Sequence, residues 1–187
     1  PISILQKSVK MTTESPTGLR ANMTALLTSI NAEQFDKTSN NYKSLVFALS
    51  FLHSVIIERR KFLTLGWNIP YPFNRSDFDI CTKVIAKLIE NPNKPISWEA
   101  LRYLISGIHY GGRVTDDWDQ RLLQVYVNQY FCPELLNTQN YQLSTNTAYF
   151  VPDPTTLSEY LAFVNKMPTA DPPDAFGQHP NADISSL

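Results

Sequence analysis

The amino-acid sequence predicts a mainly α protein, a bundle of about six helices with one candidate β-hairpin. Three observations carry that prediction. Apolar residues recur at intervals of three and four over most of the chain, which gives a helix one buried stripe. Ser or Thr precedes two of those runs with an acidic residue three positions on, a pattern that satisfies the free N–H groups of a helix start. Hydrophobic residues make up 43% and aromatics 12% of 187 positions, enough apolar area for one compact core.

The opening ISILQKSVKM alternates loosely between apolar and polar residues, so a strand is expected there, followed by a turn in TTESPTG. Leu19, Met23, Leu26, Leu27 and Ile30 outline a first helix running to about Phe35. After the polar DKTSNN, the positions Tyr42, Leu45, Val46, Leu49, Leu52, Val55 and Ile56 form a longer repeat, a second helix expected at the centre of the core and ending in ERRKF. LGWNIPYPFN combines prolines and a glycine with bulky aromatics; it is too broken for a helix and too apolar to float free. It is expected to be an ordered loop pinned by Trp67, Tyr71 and Phe73. Ser76 with Asp79 makes a capping pattern for a third helix that ends near Asn91.

Ser97 is placed to cap a fourth helix through Leu101, Leu104 and Ile105, which Gly111 and Gly112 end. Thr115 is expected to cap a fifth, carrying Trp118, Leu122, Val125, Tyr126 and Tyr130 and closed by Pro133. NYQLSTNTAYFVP has two short β-prone runs around a Ser/Thr/Asn turn and is the candidate hairpin. Thr156 with Glu159 caps a short sixth helix through Leu157, Tyr160, Leu161 and Val164. From Met167 the chain is rich in proline and aspartate and reads as linker. With Pro1 at one end and NADISSL at the other, it reads as a piece of a longer polypeptide.

Charge narrows the function classes. The net charge of −1 comes from 16 basic and 17 acidic side chains spread along the chain, which leaves no field to attract a nucleic-acid backbone. No apolar run approaches the roughly 18–20 residues that cross a bilayer, so no membrane partner is expected. Cys81 and Cys132 lack CxxC spacing and a histidine pair, and are expected to be reduced, packed thiols of a cytosolic protein.

The string IHYGGRVTDDWDQRLL (108–123) offers three readings. A phosphate loop would want a lysine before Ser/Thr, and here Asp116 and Asp117 stand where they would repel the anion. A divalent cation would want converging oxygens, and Asp116 and Asp119 share a helix face at i, i+3. The reading that covers most residues is a chain reversal at Gly111 and Gly112 with positive φ, a cap at Thr115, aspartates complementing the helix dipole, and Arg113 pairing with a nearby carboxylate. Glu58, Arg59, Arg60 and Lys61 read as a solvated helix end, with Arg59 or Arg60 the candidates for an inter-domain or nucleotide-sensing contact. His53 is expected to be packed, and His109 and His179 are isolated. Trp67, Trp98 and Trp118 suit core packing. No nucleophile context is present, so no catalytic, cofactor-binding or metal residue is assigned.

Taken together, SPTGLRANM (15–23), FLHSVIIERRKFLTLGWNIPYPFN (51–74), YGGRVTDDWDQRLL (110–123) and FGQHPNADI (176–184) resemble the C-terminal motor region of dynein heavy chains, in forms similar to the axonemal branch. The resemblance implies the lid of the sixth AAA+ module: residues 1–20 the trailing edge of its large subdomain, 21–166 the helical lid, and 167–187 the linker into the C-terminal domain. It implies a non-catalytic, force-transmitting piece of an ATP-driven microtubule motor of cilia or flagella. The implied partners are the neighbouring AAA+ modules and C-terminal domain of the same heavy chain, with microtubules and other dynein subunits bound by the parent complex. No cofactor is implied in this segment; ATP and Mg belong to neighbouring modules. Ser15 and Pro72 replace a proline and a glutamate common in the family, so no ligand-contacting residue is carried over. A stand-alone helical module that binds a partner helix and a metal-dependent enzyme using Asp116 and Asp119 are the other readings.

Overall fold

The computed structural model describes residues 2–9, 15–90, 94–153 and 156–182. Its centre is α4 (Asn40–Glu58), buried on every side from Leu45 to Ile56. A helix apolar all round is stable only when other elements surround it. Here α2 (Leu19–Thr28), α5 (Arg75–Ile89), α7 (Asp117–Tyr130) and α8 (Glu134–Asn137) pack against it. α9 (Leu157–Asn165) covers α2 and α3 (Ala32–Asp36), with Tyr160 set between Phe35 and Phe47. Among the described residues no helix is long and apolar enough to cross a membrane.

Several local expectations are corrected. The opening forms a helix, α1 (Ile2–Lys7), where a strand was expected: so short and loose an alternation does not separate the two periods, and Ile2 is exposed with no sheet to join among the described residues. Residues 12–14 of the expected turn, with Lys10 and Met11 of the expected strand, lie outside the described residues. The first expected helix is two, because Ser29 Oγ turns back to Leu26 O and Asn31 then caps α3 by accepting from Gln34 N.

α5 starts two residues earlier than Ser76 suggests, with Asn74 as its cap. Asn74 accepts from Asp77 N and Asp77 Oδ2 accepts from Asn74 N, a reciprocal pair that closes both groups. Asp77 wins over Asp79 because it is buried, whereas Asp79 is exposed and only approaches Arg75 at 3.7 Å. The helix ends at Ile89, and Asn91 lies outside the described residues. The fourth expected helix is α6 (Trp98–Tyr103), which widens into a π-helical turn over Leu104–His109; Ser97 makes no side-chain cap bond. The cap of α7 is Asp116, accepting from Trp118 N and Asp119 N, rather than Thr115.

The candidate hairpin is reduced to one bridge between Gln142 and Phe150, with no named strand among the described residues. Leu143 N reaches Tyr149 O and Val151 N reaches Tyr141 O, but no third strand is present to extend the pairing. α9 starts as expected, with Thr156 and Glu159 in a capping box. Residues 167–182, read from composition as linker, lie against the bundle: Met167, Ala175, Phe176 and Ala182 are buried in the core. Trp67 is buried, but Trp118 is 70% exposed on α7 and carries the Arg121 guanidinium over its ring at 5.0 Å, so the core role expected of it is wrong.

Candidate functional site

The chemistry of this chain concentrates where α4 ends. Arg59 begins a 3-10 turn, Arg59–Leu65, and its side chain folds inward instead of joining the solvated end expected of ERRKF. Only 5% of Arg59 is exposed. Its Nε donates to Gly66 O at 3.1 Å, Nη2 to Leu65 O at 3.1 Å, and Nη1 to both Tyr126 OH at 2.6 Å and Phe176 O at 2.9 Å. The guanidinium also lies over Trp67 and Tyr126. Five donors in one plane suit this task, because a buried cation is tolerable only when its N–H groups are matched. The Tyr126 hydroxyl, its pKa raised by burial against the opposing pull of Arg59, stays protonated and donates a hydrogen bond to Phe176 O.

Glycine makes this close approach possible. A Cβ at Gly66 would stand 1.8 Å from Arg59 O, so only glycine lets the chain turn back over α4. Leu63, in contrast, holds φ 49° and ψ −128°, a region that side chains rarely occupy.

The aromatic loop is fixed from α7. Asp119, 4% exposed, accepts from Asn68 N and Ile69 N and from Tyr71 OH at 2.8 Å. Asp116 caps α7 and accepts from Asn68 Nδ2 at 2.9 Å; that bond, first, and the backbone donors hold its carboxyl below the usual carboxylate range. The two aspartates therefore face the loop, not a common ion, and no group of three or more metal-ligating side chains exists among the described residues. Trp67, Tyr71 and Phe73 are buried as the loop reading requires, with ring centroids 5.7–5.9 Å apart.

Arg113 pairs with a carboxylate, as expected, and the partner is Asp77 at 2.9 Å. The glycines beside it act differently from expectation, since neither has positive φ. A Cβ at Gly111 would meet Ser106 O at 1.8 Å, while one at Gly112 would meet nothing within 4 Å. His53 is packed: Nδ1 lies 2.8 Å from Tyr110 OH, and burial pushes its pKa down to about 4. Cys81 and Cys132 are free and buried, and burial pushes the Cys81 thiol up to about 12. Arg60 is exposed, with Nε on Ile57 O.

Sequence reasoning missed Tyr126, Asp171 and the Phe176 carbonyl. Asp171 ties the tail to the bundle, accepting Leu19 N at 2.7 Å and Tyr149 OH at 3.1 Å; burial first, and then the Asp171 carboxylate, raise the Tyr149 hydroxyl above its usual range. An aspartate between prolines carries no signal of such a partner.

Comparison with known proteins agrees with this architecture. A family model described as dynein heavy chain AAA lid domain matches residues 42–182. Human dynein axonemal heavy chain 2 is 51% identical over 188 residues, covering all of this chain. The Chlamydomonas reinhardtii dynein-1-beta heavy chain of the flagellar inner arm I1 complex is 45% identical over 189 residues, and mouse dynein axonemal heavy chain 8 is 39% identical over 188. The chain spans 4% of the length of each of these relatives.

Proposed function

The chain belongs to the dynein heavy chain AAA lid family, and from that premise we propose that it is the structural, force-transmitting lid subdomain of the sixth AAA+ module in an axonemal heavy chain. It works in the axoneme of cilia or flagella as part of an ATP-driven microtubule motor, and it catalyses nothing itself. Residues 1–20 form the trailing edge of the large subdomain, 21–166 the lid, and 167–187 the passage into the C-terminal domain. Its partners are the neighbouring modules and C-terminal domain of the same heavy chain, and ATP and Mg are held by those neighbours.

The observation that carries the reading is the Arg59 junction. One buried side chain joins α4, the Leu65–Gly66 turn, α7 and the tail, so displacement of one moves the others. A packed, polar-linked core transmits strain because it has few intermediate arrangements. In a heavy-chain motor, Arg59→Met is expected to preserve ATP turnover while microtubule gliding slows several-fold. Unchanged gliding, with hydrogen exchange proving the junction open, overturns the force-transmitting role. ATP titrated into the 187-residue chain is expected to give no saturable binding; micromolar affinity overturns the non-catalytic part.

A further inference from the structure

A cavity of about 520 Å³ opens between the start of α2, the end of α4 and the start of α5. Among the described residues its wall carries Arg60, Lys61 and Arg75 against a single carboxylate, Glu58, which already accepts from Asn22 Nδ2 at 2.7 Å. Three cations facing one acid is a local excess in a chain of net charge −1. The cations are lightly committed. Arg60 donates to Ile57 O, Lys61 lies over the Phe62 and Phe176 rings, and Arg75 only approaches the exposed Asp79.

Arg60 also borders a second hollow of about 220 Å³, walled by Leu63, Trp67 and Pro70. The strained backbone at Leu63 leaves that side chain 68% exposed and Leu65 53% exposed. Strain held at the surface to present an apolar side chain is a feature of contact sites rather than of solvated turns.

Phosphate is the other anion such cations attract, and a helix N-terminus is its usual seat. Both N-termini beside this cavity are closed by carboxylates: Asp171 takes Leu19 N, and Asn74 with Asp77 closes α5. An incoming phosphate would meet fixed negative charge where it needs free N–H groups.

We propose that Arg60, Lys61 and Arg75 with the Leu63 slot form a docking face for an acidic–apolar polypeptide segment of the same heavy chain, outside these 187 residues. A carboxylate of that segment sits against the cations, and a neighbouring apolar side chain packs on Leu63. Charge complementarity selects the segment. Its source in the same polypeptide rests on the lid reading above.

The test places a photo-crosslinking amino acid at Leu63 of the heavy chain and maps the product by mass spectrometry. The expected crosslink falls within a few residues of Asp or Glu in a segment of the same polypeptide. Its yield drops at least fivefold with Arg60→Glu plus Lys61→Glu and falls with added salt, because exposed charges are screened. A crosslink to a segment without acidic residues, or a yield indifferent to charge reversal, overturns the proposal. So does saturable binding of inorganic phosphate or ATP by the 187-residue chain that Arg60→Glu abolishes. If Leu63 gives no crosslink while Arg59→Met still slows gliding, the lid reading stands and this face is wrong. If Arg59→Met opens the junction by hydrogen exchange and leaves gliding intact, the force-transmitting reading fails whatever Leu63 does.

Discussion

Arg113 donates twice to one oxygen of Asp77: Nε and Nη2 lie 3.0 and 2.9 Å from Oδ1, while Oδ2 accepts Asn74 N at 2.9 Å. The carboxylate thus closes the start of α5 and holds the turn before α7 at once. Asp77 is buried and the Arg113 side chain is 34% exposed, so solvent screens part of the attraction. Arg113→Ala is expected to cost about 1–3 kcal/mol. Asp77→Asn removes the same pair and weakens the cap, and a double-mutant cycle by chemical denaturation is expected to give a coupling of at least about 0.5 kcal/mol. Additive losses would refute the pairing.

Two adjacent glycines are expected to respond in opposite ways to alanine. Gly111→Ala forces a Cβ onto Ser106 O and lowers stability by more than about 2 kcal/mol. Gly112→Ala meets open space with no positive φ to strain, so it stays within about 1 kcal/mol of the parent. Thermal melts of the two variants decide between this and the positive-φ role expected from the sequence.

His53 makes stability depend on pH. Burial lowers its pKa from 6.5 to about 4, with the Asp77 charge opposing. Between those values the unfolded chain binds more protons than the folded one, so stability rises with pH. The contribution is full above about pH 6.5 and is lost as the pH falls toward 4, a swing of about 3 kcal/mol. Denaturation of the parent and of His53→Gln across that range is expected to show a difference that shrinks toward acid. A difference independent of pH would mean that His53 does not titrate on unfolding.

Arg59→Met is expected to destabilise by about 3–5 kcal/mol, since three carbonyls and a phenol lose their buried donor. Arg59→Lys restores charge without the planar fork and recovers less than half of that. Hydrogen exchange is the sharper measurement: protection across Pro173–Phe176 drops in both variants, and unchanged protection there would show that the tail is held by packing alone.

Much of the helical frame was legible because each helix writes its own period and cap within a few residues. Thr156 with Glu159 is such a signal, and so is the apolar run from Leu45 to Ile56. Where two signals overlapped, sequence alone chose wrongly: Asn74–Asp77 and Ser76–Asp79 both fit a capping box, and what separates them is the Arg113 pair that only the buried Asp77 makes. Trp118 has the spacing of a core residue, yet it is Asp119 beside it in sequence that turns inward to the loop, while the Trp118 ring stays outside under Arg121. The Arg59 junction was not legible at all. Three of its four acceptors are backbone carbonyls, which every residue possesses, and the farthest is 117 positions away.

Phe176 lies edge-on against Phe62 with ring centroids 5.3 Å apart, and Gln178 Nε2 donates to Leu65 O at 2.7 Å. A polypeptide trimmed after Asn165, where α9 stops, would uncover Phe62 and strip Arg59 of an acceptor. The cooperative unit is therefore longer than its helices, and anyone grafting it into another scaffold must carry the stretch through Ala182 along with it.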